Sequence, residues 1–227
     1  MTMPFYVSPE QQMLDRAEFA RKGIARGRSV AVMQVEVGIV CIAENHSSTL
    51  HKISEIYDRI GFAAVGRYHE FEMLRVAGIQ HADLRGYAYD RSDVTARSLA
   101  GAYSQLLGGA FASSGDKPYE VDLILAELGE TVADDVLYRI SYDGVIVDEQ
   151  QVSVIGGDAD RIAQALREQH EVGHALDDAV RLAAGSLSTG EPLTATQLEV
   201  AVLDRQLTRR RRFRRIAVSD VEAMLHG

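Results

Sequence analysis

The sequence predicts an α+β protein in which two antiparallel sheets pack face to face, with helical layers on both outer sides: a four-layer α-β-β-α sandwich. Three observations carry this. Runs rich in Val and Ile and segments of helical period come in groups rather than in strict alternation, which argues against parallel βαβ units. Short turn signals at Val37-Gly38, Asp58-Arg59 and Asp143-Gly144 join consecutive runs into hairpins. No linker or compositional break divides the 227 residues. One domain is therefore expected over residues 9–227, behind a flexible segment at residues 1–8.

In chain order, residues 1–7 are short, mixed and aperiodic, as in a mobile tail. Ser8 then reads as an N-cap, Pro9 as the first helical residue, and Gln11 as the partner of a capping box. Met13, Ala17, Ala20 and Ile24 recur at helical spacing, and Gly27 is a stop. The small-residue face of this helix is a candidate subunit contact. Strands follow at Ser29–Val35, Ile39–Glu44, Lys52–Tyr57 and Ile60–Val65. Helical patterns run from Tyr68 to Leu84 and from Ser92 or Asp93 to Phe111. Gly101, Gly108 and Gly109 lower helix propensity in the second, which makes sense if another backbone packs close. After the loop Ala112–Pro118, strands are expected at Tyr119–Leu128, Val136–Tyr142, Val145–Val147 and Gln151–Ile155. Helices at Ala159–Gln169 and Ala175–Leu187, strands at Gln197–Leu203 and Arg212–Ala217, and a short helix at Val221–Leu225 complete the chain.

Hydrophobic residues make up 46% and charged residues 25%, enough apolar content for a packed core. The formal net charge of −9 argues against nucleic acid, which demands an excess of cations. No apolar stretch approaches the ~20 residues that span a bilayer, and the N-terminus lacks a charged leader, so a cytoplasmic protein is expected. The single cysteine, Cys41, cannot form an internal disulfide and lies in an apolar run, where a buried thiol is expected.

Three motifs could carry chemistry. His170-Glu171-Val-Gly-His174 has the H-E-x-x-H spacing that, on a continuous helix, places two zinc ligands and a general base on one face. It would support a zinc-dependent hydrolase. Gly173 inside it, and a helix that ends before it, favour a solvated turn. Arg209–Arg215 is a basic run around Phe213, readable as a nucleic-acid patch or as a charged edge strand whose cations meet acidic surface. Removal of Met1 would expose Thr2, and an N-terminal threonine can act as a nucleophile through its own amine. Thr2 heads no buried strand, however, and lacks a neighbouring lysine.

Several long words in order identify a family. Ser8-Pro9-Glu10, with Glu18-Phe19-Ala20-Arg21 running into Lys22-Gly23-Ile24-Ala25-Arg26, resembles the leading helix of proteasome α subunits of the actinobacterial type. Lys52–Arg59, Gly61–Ala64, Arg85–Arg91, Lys117–Val121, Leu137–Gly144 and Leu198–Asp204 continue the likeness, which spans Phe5 to Ala217. The resemblance implies an N-terminal-nucleophile hydrolase-like fold. It implies a non-catalytic subunit of a homo-heptameric α ring, stacked on threonine-protease β subunits, with no metal or other cofactor. Partners would be the β subunit, a ring-shaped ATPase activator, and unfolded or Pup-tagged substrate proteins; no nucleic acid and no membrane are expected.

By the same resemblance, Met1, Thr2, Met3, Pro4, Phe5, Tyr6, Val7 and Ser8, with Pro9, correspond to the gate over the axial pore. Lys52 would pair with the C-terminal carboxylate of an activator tail, and Gly27 would line that pocket, its missing side chain admitting a peptide backbone. Ser113, Ser114, Gly115, Asp116 and Lys117 correspond to the loop that lines the axial channel. The sequence departs from the wider family in two places. Phe5-Tyr6-Val7 lacks the Asp of a Tyr-Asp pair that braces the open gate in other branches, and Phe19 stands where a Tyr is common.

Overall fold

The structure, a computed structural model, describes residues 8–113, 115–171 and 173–227. Helix α1 (Pro9–Ala25) leads into strands β1 (Val30–Val35), β2 (Gly38–Glu44), β3 (Ile53–Tyr57) and β4 (Ile60–Gly66). Helices α2 (Tyr68–Ala88) and α3 (Ala96–Ala112) follow, then β5 (Val121–Glu127), β6 (Val136–Ile140), β7 (Ile146–Glu149) and β8 (Val152–Ile155). Helices α4 (Ala159–Gln169) and α5 (Leu176–Leu187), strands β9 (Leu198–Asp204) and β10 (Phe213–Arg215) and helix α6 (Val218–His226) end the chain.

The strands form two five-stranded sheets, ordered β10-β9-β2-β1-β8 and β3-β4-β5-β6-β7, and every recorded pairing is antiparallel. The strand period of two explains the layering. Ala31, Met33, Val40, Ile42, Val200 and Val202 pack under α4, α5 and α6. Their neighbours Val30, Val32, Ile39, Cys41, Ala201 and Leu203 point the other way, into the space between the sheets, where they meet Ala63, Val65 and Ile124. Phe62, Ala64, Leu123 and Leu125 face outward again, under α2 and α3. Three apolar layers thus separate four layers of structure, as expected. Both faces of each sheet are covered, so the central strands read as continuous apolar runs rather than as alternation. Helix α1 closes one end of the sandwich, with Ala20 and Ile24 in the inter-sheet core.

Several expectations need correction. The Asp143-Gly144 hairpin is wider than a two-residue turn. β6 stops at Ile140 and pairs with Ile146, while Asp143 Oδ1 accepts the Ser141 hydroxyl at 2.6 Å and the Val145 N–H at 3.2 Å. The capping box at α1 is half formed. Ser8 Oγ accepts the Gln11 N–H at 3.2 Å, but the Gln11 amide turns forward to Asp15 Oδ1 at 2.7 Å, the i,i+4 partner. In α3 only Gly108 is approached by another backbone, at Asp143 O; a Cβ on Gly101 or Gly109 would meet none of the described atoms within 4 Å. β10 spans only three residues, Phe213–Arg215, and Ala217 is the N-cap of α6.

Candidate functional site

Lys52 lies just before β3, beside the ends of β1 and β2. Its ammonium donates to the carbonyl oxygens of Arg28 at 2.7 Å and Glu44 at 3.0 Å. Among the described residues this uses two of its three donors. Burial pushes its pKa down to about 8; Glu44 and Glu199 pull the other way, and Arg28 adds to the depression. Arg28 Nη1 lies 3.2 Å from Glu44 Oε1, and His46 Nε2 lies 3.3 Å from the same oxygen. Arg26, Gly27, Arg28 and Glu44, with Gly157 and Asp158 from the turn before α4, line an adjoining polar cleft of about 300 Å³. A polar cleft with two arginines and two acids thus opens beside the C-terminal end of α1, and the Lys52 ammonium binds the carbonyls of two residues that line it.

Gly27 lines this cleft, but the reason for its missing side chain is internal. A Cβ there would lie 2.3 Å from Val65 Cγ1 and 3.4 Å from Gly66 N. The direction that a Cβ would take is filled by β4, while the backbone of Gly27 borders the cleft.

Ser8 and Pro9 are the cap and first residue of α1, and both are exposed. Met1, Thr2, Met3, Pro4, Phe5, Tyr6 and Val7 lie outside the described residues, as does Ser114. Ser113 is the C-cap of α3, and Gly115 and Asp116 are exposed. Lys117, at the end of this loop, is exposed. Its ammonium contacts Glu70 Oε1 and lies 2.8 Å from Glu120 Oε1, which also pairs with Arg67 Nε at 2.6 Å. Glu70 Oε2 accepts the Glu120 N–H at 2.7 Å. Burial opposes the charge on Lys117, but its bonds to Glu120 and Glu70 outweigh that and hold its pKa above the ordinary lysine value. Burial likewise pushes Glu120 up, and Lys117 and Arg67 outweigh it, leaving the carboxyl below its usual range. Glu70, Glu120 and Arg67 were not found from the sequence. The available signal was a charged residue, Glu120, at the head of the apolar run that becomes β5.

The helix premise of the zinc reading fails. α4 ends at Gln169 and His170 is its C-cap, in extended geometry, so Glu171 and His174 share no helical face with it. The solvated turn is also corrected. His170 is buried, its ring 5.5 Å from that of His174 in an edge-on arrangement, and burial lowers its pKa with help from His174. Among the described residues, no three His, Cys, Asp or Glu side chains gather as metal ligands. The basic run leads into and includes the edge strand β10, and its cations meet acidic side chains. Arg211 reaches Glu55 at 2.5 Å, Arg214 reaches Asp204 at 2.7 Å, and Arg215 pairs with Glu199. Cys41 is buried between the sheets, and burial, with the charge of Glu199, pushes its thiol up to about 12.

Comparison with known proteins points one way. A family model described as "Proteasome subunit" matches residues 24–203. The "Proteasome subunit alpha" of a Nocardioides species is 57% identical over 229 residues, covering 99% of this chain and 90% of its own length. That of Streptomyces scabiei is 53% identical over 232 residues, covering 100% and 94%. That of a Parafrankia species is 54% identical over 235 residues, covering 99% and 97%.

Proposed function

The chain belongs to the proteasome subunit family, as an α subunit of the actinobacterial type, and from that premise we propose that it builds the outer ring of the core particle, gates entry and docks an activator. Membership makes it a non-catalytic subunit of a threonine protease complex, and its fold is N-terminal-nucleophile hydrolase-like. In this reading a homo-heptameric α ring stacks on a β ring that supplies the catalytic threonine. Residues 1–8, with Pro9, close the axial pore, residues 113–117 border the channel, and residues 9–227 act as one domain. A ring-shaped ATPase inserts its C-terminal tails between neighbouring α subunits and delivers unfolded or Pup-tagged proteins in the cytoplasm. Among the described residues, no helix is long and apolar enough to cross a membrane.

The observation that carries docking is the Lys52 ammonium, half-buried at the C-terminal end of α1 with a donor to spare and with Gly27 in the adjoining cleft. Burial there strengthens a charge-assisted bond to a terminal carboxylate. Assembly is supported by apolar side chains on two helices. Met13, Leu14 and Phe19 of α1 are exposed, as are Met73, Val76, Leu84 and Tyr87 of α2; such surface calls for a partner. Native mass measurement tests the reading. With its β partner the chain should enter a particle of stacked seven-membered rings, and without it the chain should hydrolyse no peptide. A lone monomer that never joins such a particle would overturn it.

A further inference from the structure

Helix α1 rests on the segment that leads from α3 to β5 at three successive points along one face. Arg16 donates to the carbonyls of Ala110 at 2.9 Å and Phe111 at 3.0 Å, at the end of α3. The Lys117 ammonium sits 5.7 Å from the centre of the Phe19 ring. Glu120 places Oε2 against Gly23, where a Cβ would lie only 2.0 Å away. Arg16, Phe19 and Gly23 are spaced i, i+3, i+7 and so share a face of the helix. Lys117 is the hub. It touches α1 through the aromatic ring, α2 through Glu70, and the head of β5 through Glu120.

We propose that Lys117 is a positioning residue for gating, fastening the end of the channel-side loop to the underside of α1 and so holding in place the helix start at Ser8, behind the segment read as the gate. The inference rests on the reading that this segment is the gate. A cation that bonds two carboxylates from different elements and also faces an aromatic ring holds three parts in one arrangement; released, α1 loses one of its three points of support. The coupling is reciprocal, so chain passing the loop and opening of the gate would each favour the other.

The test uses the assembled particle with its catalytic partner and a short fluorogenic peptide, without activator. Lys117→Met should change the basal rate about fivefold, toward that of a particle lacking residues 2–7. It should change nothing when added to that truncated particle. Lys117→Arg should restore the closed rate, and Phe19→Leu, which removes the ring contact while keeping an apolar side chain on that face of α1, should shift it less and in the same direction. Native mass confirms that each particle is whole. If Lys117→Met does not assemble, Phe19→Leu in closed and truncated particles decides alone. Truncation that opens the pore while neither variant moves the rate overturns the role of Lys117 but leaves the gate. An equal effect in closed and truncated particles also overturns it, since the residue would then act on the channel itself. Truncation without effect sinks the gate reading and this inference together.

Discussion

Glu120 Oε2 occupies the place that a side chain on Gly23 would need, 2.0 Å from where its Cβ would stand. The carboxylate cannot simply swing aside, because its other oxygen holds Arg67 at 2.6 Å and Lys117 at 2.8 Å. A glycine in a helix interior, which costs about 1 kcal/mol against alanine, is here the condition for α1 to lie over buried carboxylates whose cations reach the surface.

Gly23→Ala should therefore destabilise the chain by about 1–3 kcal/mol despite its better helix propensity, because the new methyl forces α1 or Glu120 to move. Gly101→Ala in α3, where a Cβ meets no described atom within 4 Å, should instead stabilise by up to about 1 kcal/mol. Denaturant unfolding of both variants checks the contrast. Equal effects would mean that the contact with Glu120 carries no weight.

Docking at Lys52 should fail at unusually mild alkaline pH. Burial holds this lysine near 8, against 10.5 for a free side chain. Its proton is needed to pair with a carboxylate, so activator affinity should be flat below pH 8 and fall up to about tenfold per unit above it. The stability linkage has the opposite sense. Because the folded pKa is the lower one, the unfolded chain binds more protons between about 8 and 10.5, and stability from this group rises across that window. Binding of a C-terminal activator peptide, measured by titration from pH 6.5 to 9.5, separates the two. Lys52→Met should abolish the binding and its pH step while leaving ring assembly intact.

Much of the fold was legible because both faces of each sheet are buried. Val30–Val35 and Gly38–Glu44 have almost no exposed position and read as uninterrupted apolar runs. What periodicity cannot show is which charged residues turn inward. Glu70 meets Lys117 and Glu120 across 47 and 50 residues, and Glu199 meets Lys52 and Arg215 from a strand that runs apolar from Val200 to Leu203. The glycines of α3 and α1 make the same point. Those of α3 looked like close contacts and are open at Gly101, whereas Gly23, inside the signature helix, is the one pressed by a carboxylate. The docking lysine came from resemblance. Its local reason, two backbone carbonyls from separate strand ends, needed the fold.

Cys41 should be inert to alkylation while the chain is folded. The thiolate is the reactive form, and burial between the sheets, with the charge of Glu199 adding to it, lifts the thiol to about 12. At pH 8 the modification rate should follow global unfolding, rising with denaturant in step with the loss of ellipticity. Intact-mass measurement of alkylation along a urea series checks this, and rapid labelling in native buffer would contradict a sealed inter-sheet core.

Glu199 is the polar joint between the two sheets. Buried in β9, it accepts from Asn45 Nδ2 at 2.7 Å and from the backbone N–H groups of Lys52 at 2.9 Å and Ile53 at 3.2 Å, and it pairs with Arg215 of the edge strand. Arg215 itself continues to the Ile53 carbonyl at 2.8 Å, so β9, β10 and β3 share one network. Glu199→Ala strands the buried donors together, while the partly exposed Arg215 can turn to water, and should cost about 1–3 kcal/mol, the scale for leaving buried donors without an acceptor. Arg211→Ala breaks a pair whose arginine is largely exposed and should cost no more than about 1 kcal/mol. Thermal unfolding ranks the two, and hydrogen exchange locates the damage: amides of Phe213–Arg215 should lose protection first in Glu199→Ala. Equal melting temperatures would show that the inward-facing carboxylate is no more important than the exposed arginine.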